Sequence, residues 1–207
     1  MQITFSNVSK RYTNEWILKD ININFEEGSR YGISGANGVG KSTLMKLISG
    51  FLSPTKGLIT YEVNGKSIDA DSIYQHVSYA APYVDPVPDF SLQELLTFHE
   101  TFKSFCLSKE KITDLLGFSK KHRRKTLKYY SSGMQQRVKL ALALCSVSSL
   151  VILDEPTITL DQSGILFYKN LLSQTQQESR TVLISSNVES DFIDCPSVLH
   201  IKNKQLL

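Results

Sequence analysis

A chain that carries Gly35-Ala36-Asn37-Gly38-Val39-Gly40-Lys41-Ser42 has few folds open to it. The spacing G-x-x-x-x-G-K-[ST] works where a strand delivers the backbone into a tight glycine loop and a helix carries it away. The glycines let successive backbone N–H groups converge on the phosphates of a nucleotide. The helix that follows aims the positive end of its dipole at the same anion. Lys41 is suited to reach the β- and γ-phosphates. Ser42 offers a hydroxyl to Mg²⁺, with Thr43 beside it on the first turn. The flanks agree with this reading. Arg30 to Ser34 reads as a buried strand, and Ser42 to Ser49 has helical spacing with Leu44, Leu47 and Ile48 apolar. Gly50 is placed to end that helix.

A second motif sits downstream, where Leu150-Val151-Ile152-Leu153 leads into Asp154-Glu155. Four apolar residues followed by an acid put a carboxylate at the C-terminal end of a buried strand, where open α/β sheets gather their ligands. Asp154 is expected to hold Mg²⁺, directly or through water. Glu155 is suited to orient or deprotonate an attacking water, as a catalytic base would.

Around these motifs the chain alternates strand and helix patterns. Gln2 to Val8 and Ile17 to Phe25 are strand-like about a polar turn, Thr13-Asn14-Glu15, and Leu58 to Val63 reads as a further strand. Three prolines, Pro82, Pro86 and Pro88, forbid a regular helix there. Helical spacing resumes over Leu92 to Phe105, Lys109 to Leu116, Gln135 to Cys145 and Ile165 to Gln177. Thr181 to Ser185 reads as a buried strand, and Val198 to Ile201 with Asn203-Lys204 as a terminal hairpin. The expected fold is α/β: a P-loop nucleotide-binding core with a mainly parallel sheet, an N-terminal antiparallel β layer and an inserted helical subdomain over about 85–145. The 207 residues read as one such domain.

Composition removes several functions. A net charge of +3 is too slight to argue for nucleic acid. The one basic run, Lys120-Lys121-His122-Arg123-Arg124-Lys125, reads first as a solvated face and second as a contact to acidic headgroups or a partner. Cys106, Cys145 and Cys195 are odd in number and lack metal-ligand spacing, which fits a reducing cytosol. The N-terminus has no signal-peptide character, and no apolar run approaches the roughly 20 residues that span a bilayer.

The two acidic and glycine motifs fit many nucleotide-binding proteins. Tyr130-Ser131-Ser132-Gly133-Met134 narrows the choice, because Gln135-Gln136-Arg137-Val138 follows it and Asp154-Glu155 lies shortly beyond. Read alone, this segment is a helix N-cap. In this order it resembles the signature loop of ABC-type ATPases, usually written L-S-G-G-Q, with Ser131 and Gly133 kept. The resemblance covers nearly the whole chain. It implies that ATP is bound with Mg²⁺ and hydrolysed, and that Ser131, Ser132, Gly133 and Met134 meet the γ-phosphate held by a second ABC ATPase domain. That second domain would form a homodimer or heterodimer. It implies that Tyr12, or failing that Trp16, stacks on adenine, and that Asp161 in Ile158-Thr159-Leu160-Asp161 couples the two sites. It implies further a separate transmembrane permease subunit, touched through Pro82 to Phe90, and a cytoplasmic protein peripheral on the inner face of the cell membrane. A GTPase or small-molecule kinase is disfavoured by the signature loop and by the lack of an N-K-x-D motif.

Two departures qualify the resemblance. The glutamine that the family carries where core meets helical subdomain falls on Pro82, and Gln75 lies too early to replace it. The family's histidine after the last buried strand falls on Asn187, which can hydrogen-bond but cannot carry charge. Asn187 is thus the candidate for the third catalytic position beside Lys41 and Glu155. Two readings of turnover stay open: a transporter ATPase, and a low-turnover regulatory ABC ATPase or nucleotide-dependent clamp not coupled to transport.

Overall fold

The structure is a computed structural model that describes residues 1–192 and 194–207. In chain order its strands and helices are β1 (Gln2–Tyr12), β2 (Glu15–Phe25), β3 (Arg30–Ser34), α1 (Lys41–Ile48), β4 (Lys56–Val63), β5 (Lys66–Ile68), β6 (Val77–Ala80), α2 (Leu92–Glu100), α3 (Lys109–Leu116), α4 (Lys120–Arg123), α5 (Ser132–Cys145), β7 (Leu150–Asp154), α6 (Gln162–Gln174), β8 (Thr181–Ser186), β9 (Ser197–Lys202) and β10 (Gln205–Leu206). They divide into two compact units. One comprises Met1–Tyr79, Ser148–Glu155 and Gln177–Leu207, and the other Ala80–Val147 and Pro156–Gln176.

The first unit carries two sheets. A four-stranded sheet in the order β2-β1-β4-β5 is antiparallel throughout. It grows from the N-terminal hairpin, whose turn is Thr13-Asn14, with Thr13 at φ 50. The six-stranded sheet runs β10-β9-β3-β8-β7-β6. Its centre is parallel: β3 pairs with β8 and β9, and β7 pairs with β8. Every residue of β7 and β8 is buried, which is why these strands read as unbroken apolar or small-residue runs rather than as alternation. Helix α1 packs Leu44, Met45, Leu47 and Ile48 into one core. Ile3, Phe5 and Leu18 join it from the antiparallel sheet, and Ile33, Ile152 and Leu183 from the other. Burying such side chains stabilises by roughly 1.5–3 kcal/mol each, and here it holds α1 in one core with β3 and β7.

The second unit is helical. Leu92, Leu96, Ile112, Leu116, Val138, Leu144 and Leu171 are among its buried residues. Helix α2 opens with a full capping box: Ser91 accepts the Glu94 N–H, and the Glu94 carboxylate accepts the Ser91 N–H at 2.8 Å.

Several element bounds differ from the sequence expectation. The helix expected over Leu92 to Phe105 stops at Glu100. The Thr101 hydroxyl donates to the Phe98 carbonyl at 2.7 Å, and the chain then leaves to form a short antiparallel bridge, Phe105 opposite Ser146. Helix α5 starts three residues earlier than its apolar spacing suggests, because Ser131 caps it. Asp161 caps α6, which therefore runs Gln162–Gln174 rather than Ile165 to Gln177. Strands β5 and β6 were not legible at three and four residues. No described helix is long and apolar enough to cross a membrane.

Candidate functional site

The glycine loop leaves β3 and enters α1 with Gly35 at φ 153, Gly38 at φ 79 and Gly40 at φ 117. At Gly35 a Cβ would also lie 2.8 Å from Val39 Cγ1. At Gly40 a Cβ would lie 3.0 Å from Ile17 Cγ2 and 3.2 Å from Leu18 Cδ2. Both positions therefore exclude a side chain by conformation and by space. Gly40 is the N-cap of α1 and offers no side chain to it, and the first turn carries no acidic residue. The first N–H groups of a helix have no partner within it, and here no side chain caps them. Ala36, Asn37 and Gly38 are exposed around that concavity.

Lys41 bends back over the loop. Its ammonium donates to the Gly35 carbonyl at 2.8 Å and to that of Ala36 at 3.4 Å, and pairs with Glu155 Oε1 at 3.3 Å. The two side chains are only 6% and 16% exposed. This cation is held over the loop by neutral carbonyls and one carboxylate, an arrangement that an incoming phosphate can replace with stronger charge-assisted bonds.

Asp154 ends β7 fully buried, and the Ser185 hydroxyl of the neighbouring strand donates to it. Their residues are directly paired in the parallel register, which is what sets hydroxyl against carboxylate. Glu155 follows at φ 50, its N–H held by the Ser185 carbonyl at 2.8 Å. This left-handed turn swings the Glu155 carboxylate out of the sheet toward Lys41. Asn187, exposed just past β8, donates from Nδ2 to Asn37 Oδ1 at 3.3 Å. So Asn37, Lys41, Glu155 and Asn187 converge on one cleft, with Ser42 half-buried in the first turn of α1.

Tyr12 lies at the tip of the N-terminal hairpin, 45% exposed, with the Lys10 ammonium 5.5 Å from its ring centre. The Trp16 ring already carries Arg11 at 5.6 Å and Lys56 at 5.5 Å. Ile17 and Leu18 on the same hairpin are the residues that approach Gly40.

The signature-like residues belong to the second unit. Ser131 and Ser132 are exposed at the start of α5. Ser131 Oγ accepts the Met134 N–H at 3.3 Å. Gln135 Nε2 donates to the Leu127 carbonyl at 3.1 Å, and Gln136 Nε2 to that of Pro156 at 2.9 Å. Asp161 Oδ1 accepts from Gly164 N–H at 2.7 Å, Ser163 Oγ at 2.9 Å and Arg137 Nη2 at 3.3 Å. The Gly164 N–H, then the Ser163 hydroxyl, hold its carboxyl below the usual range. Pro82 is exposed in the turn after β6, where the Lys139 ammonium donates to the Ala81 carbonyl at 3.3 Å and to Asp85 at 3.2 Å.

Sequence reasoning missed Asp191. This buried carboxylate accepts from the Ser186 hydroxyl at 2.6 Å. Its position four residues past Asn187, in a short polar stretch, gave no period or motif to read.

Among the described residues no cluster of three or more His, Cys, Asp or Glu could hold a metal by itself. What the cleft offers a cation is oxygen: the Ser42 hydroxyl, with no bond to the described protein, and the Asp154 carboxylate. Such a set suits a hard ion that completes its shell with phosphate oxygens and water, which is the habit of Mg²⁺.

The chain is similar to known proteins over most of its length. The family described as "ABC transporter" matches over residues 18–158. An uncharacterized ABC transporter ATP-binding protein of Bacillus subtilis, YybJ, is 28% identical over 204 residues, covering 97% of this chain and 92% of its own. A lantibiotic transport ATP-binding protein of Streptococcus pyogenes, SrtF, is 29% identical, over 91% of this chain and 81% of its own. Among solved structures, the dimeric post-hydrolysis state of the ATP-binding cassette MJ0796 bound to ADP and Pi superposes with a TM-score of 0.82. It is 20% identical and covers 99% of this chain and 96% of that one. That likeness is one of fold.

Proposed function

The chain belongs to the ABC transporter family, and from that premise we propose how its residues work: as the ATP-binding, ATP-hydrolysing subunit of a membrane transporter. The observation that carries the reading is the cleft itself. An uncapped helix start, a buried lysine and a glutamate thrown out of a strand end meet within one unit.

In this reading the loop N–H groups from Gly35 to Gly40 and the first turn through Thr43 hold the β-phosphate. Lys41 leaves Glu155 and the loop carbonyls to meet the β- and γ-oxygens. Glu155, freed from the ammonium, takes the water that attacks the γ-phosphorus. Asn187 supplies a neutral amide at the γ-end of the cleft. Tyr12 stacks on adenine. Ser42 and Asp154 would hold Mg²⁺, which when bound neutralises charge that builds on the phosphate oxygens.

The exposed Ser131 and Ser132, with the half-buried Gly133 and Met134, serve a second copy or a paralogue, closing on the γ-phosphate held by that chain, with Asp161 at the D-loop position. The second unit also displays an aromatic series: Phe90 meets Phe98 at 5.3 Å, and Phe98 meets Phe102 at 5.1 Å, both edge to face. Phe102 is 75% exposed, and Tyr83, Val84 and Val87 are exposed as well. An apolar patch of this kind marks a docking surface, and a transmembrane permease subunit fits it. Such docking makes the chain peripheral to the inner face of the membrane.

Phosphate release from MgATP by the purified chain and by Glu155→Gln tests the reading. The parent should turn over. The variant should bind ATP at least as well, because Lys41 loses a competing carboxylate, and should turn over on the order of 10²-fold more slowly or worse. Equal turnover in the two proteins would remove Glu155 from the mechanism.

A further inference from the structure

Strand β8 ends on two serines, and each hydroxyl serves an acid. Ser185 donates to Asp154. Ser186 has one proton and two carboxylates in reach: Asp191 Oδ2 at 2.6 Å and Glu155 Oε2 at 3.5 Å. A donor bonds the nearer, well-placed acceptor, so the proton goes to Asp191. The Ser186 oxygen in turn accepts the Val188 N–H at 3.0 Å. Asp191 returns its own N–H to the Val188 carbonyl at 3.0 Å, on the single 3₁₀ turn Glu189–Asp191. The residues on both sides of Asn187 are thereby tied to one carboxylate, which is only 2% exposed. Burying a carboxylate is costly unless it is hydrogen-bonded, and the bond from Ser186 is charge-assisted and short. Asn187 itself is exposed, and its described bond is the 3.3 Å contact to Asn37 in the glycine loop. A short exposed amide on a loop would have many orientations without such a tie.

We propose that Asp191 is a positioning residue for ATP hydrolysis: through the Ser186 hydroxyl it fixes the turn from Ser186 to Val188 and so sets where Asn187 meets the glycine loop at the terminal-phosphate end of the cleft. Asp191 touches no reacting atom. It acts through Ser186 on Asn187, and the inference rests on the cleft being the ATP-hydrolysing site proposed above.

The test is a double-mutant cycle on the full chain with Asp191→Ala, Asn187→Ala and the pair, read in kcat and KM for MgATP. Misplacing a group at a reaction centre is costly in rate rather than in ground-state binding, so Asp191→Ala should lower kcat about tenfold and move KM less than about twofold. Asp191→Asn keeps a neutral acceptor for Ser186 and should recover part of the loss. In the Asn187→Ala background, Asp191→Ala should cost less than about twofold, since the group it positions is gone. A merely structural role would give an undiminished loss in that background, and this result, or no loss in either, overturns the proposal. Should Asp191→Ala fail to fold, Ser186→Ala breaks the same link and runs the same cycle. A parent with no turnover would refute the hydrolytic reading alone. The cycle is then read in the ratio of ATP to ADP affinity, which Asp191→Ala should lower in the parent and leave unchanged beside Asn187→Ala. Any other pattern overturns the inference there too.

Discussion

Helices α1 and α5 both begin at a small-residue loop, and they begin differently. The start of α1 has glycine at its N-cap, no side-chain bond and no acid in its first turn. The start of α5 has Ser131 at its N-cap, with the hydroxyl already accepting the Met134 N–H. Four backbone donors are orphaned at the start of any α-helix. No side chain caps those of helix α1, and α5 satisfies one of its own internally. In the proposed function the first captures a phosphate unaided, and the second stands folded without one and adds contacts to a phosphate already held. This is the division of labour expected if a nucleotide binds first to the glycine loop of one chain and is then covered by the exposed serines of another.

Breaking the α1 side of this contrast should have the largest effect. Lys41→Ala removes a buried cation of the cleft. ATP affinity should fall on the order of 10²-fold, as loss of a charge-assisted phosphate contact costs about 1.5–3 kcal/mol. Melting temperature should barely move. Equilibrium titration with a labelled ATP reads the first, and a thermal melt the second.

Asn187→His acts on rate rather than on capture. An imidazole can donate to developing charge, and more strongly when protonated. Turnover should rise about tenfold with ATP affinity within about twofold, by the same ground-state argument. Steady-state kinetics decide it, and an unchanged kcat would mean that the turn held by Asp191 is already tuned to the amide.

On the α5 side, Ser131→Ala removes a cap. Stability should fall by about 1 kcal/mol, seen as a lower urea midpoint, while nucleotide affinity of the isolated chain stays that of the parent. The same substitution at the start of α1 has no counterpart, because no side chain caps it.

The smallest effect concerns Asp161, whose carboxyl sits below its usual range because the Gly164 N–H and Ser163 hydroxyl hold the anion. A depressed folded value means stability that is present above the unfolded pKa and lost as pH falls through the folded one. Between about pH 5 and pH 3 the parent should lose more melting temperature than Asp161→Asn, which has no carboxylate there to protonate. Parallel acid limbs would show that the cap contributes nothing to the pH response.

What could be read in advance follows the same line between local and distant causes. The strand, glycine loop and helix from Arg30 to Gly50 declare themselves within twenty-odd consecutive residues, because φ, spacing and dipole are local demands. The same holds for the apolar run into Asp154. The end of α2 does not. It depends on the backbone of Ser104 and Cys106 finding Val147 and Cys145, some forty residues away. The early start of α5 was legible in the N-cap reading of Ser131, whereas the apolar period alone begins only after Ser132 and Gly133. In the cleft, Lys41 and Glu155 were legible as types, whereas their mutual ion pair was not. Asp191 was invisible, since its bond from Ser186 forms across a turn with no motif to announce it.

The most direct measurement of the two-helix account is complementation between chains. Lys41→Ala leaves Ser131 to Gly133 intact, and Gly133→Asp places a like charge where a phosphate should come while leaving the glycine loop intact. Each variant alone should hydrolyse little ATP. If a second copy supplies the covering loop, an equal mixture should regain about a quarter of parental turnover, because half the dimers are mixed and each has one intact site of two. A mixture no more active than its two components measured separately would contradict the claim that the glycine loop and the signature loop of this chain meet across a dimer of its own copies.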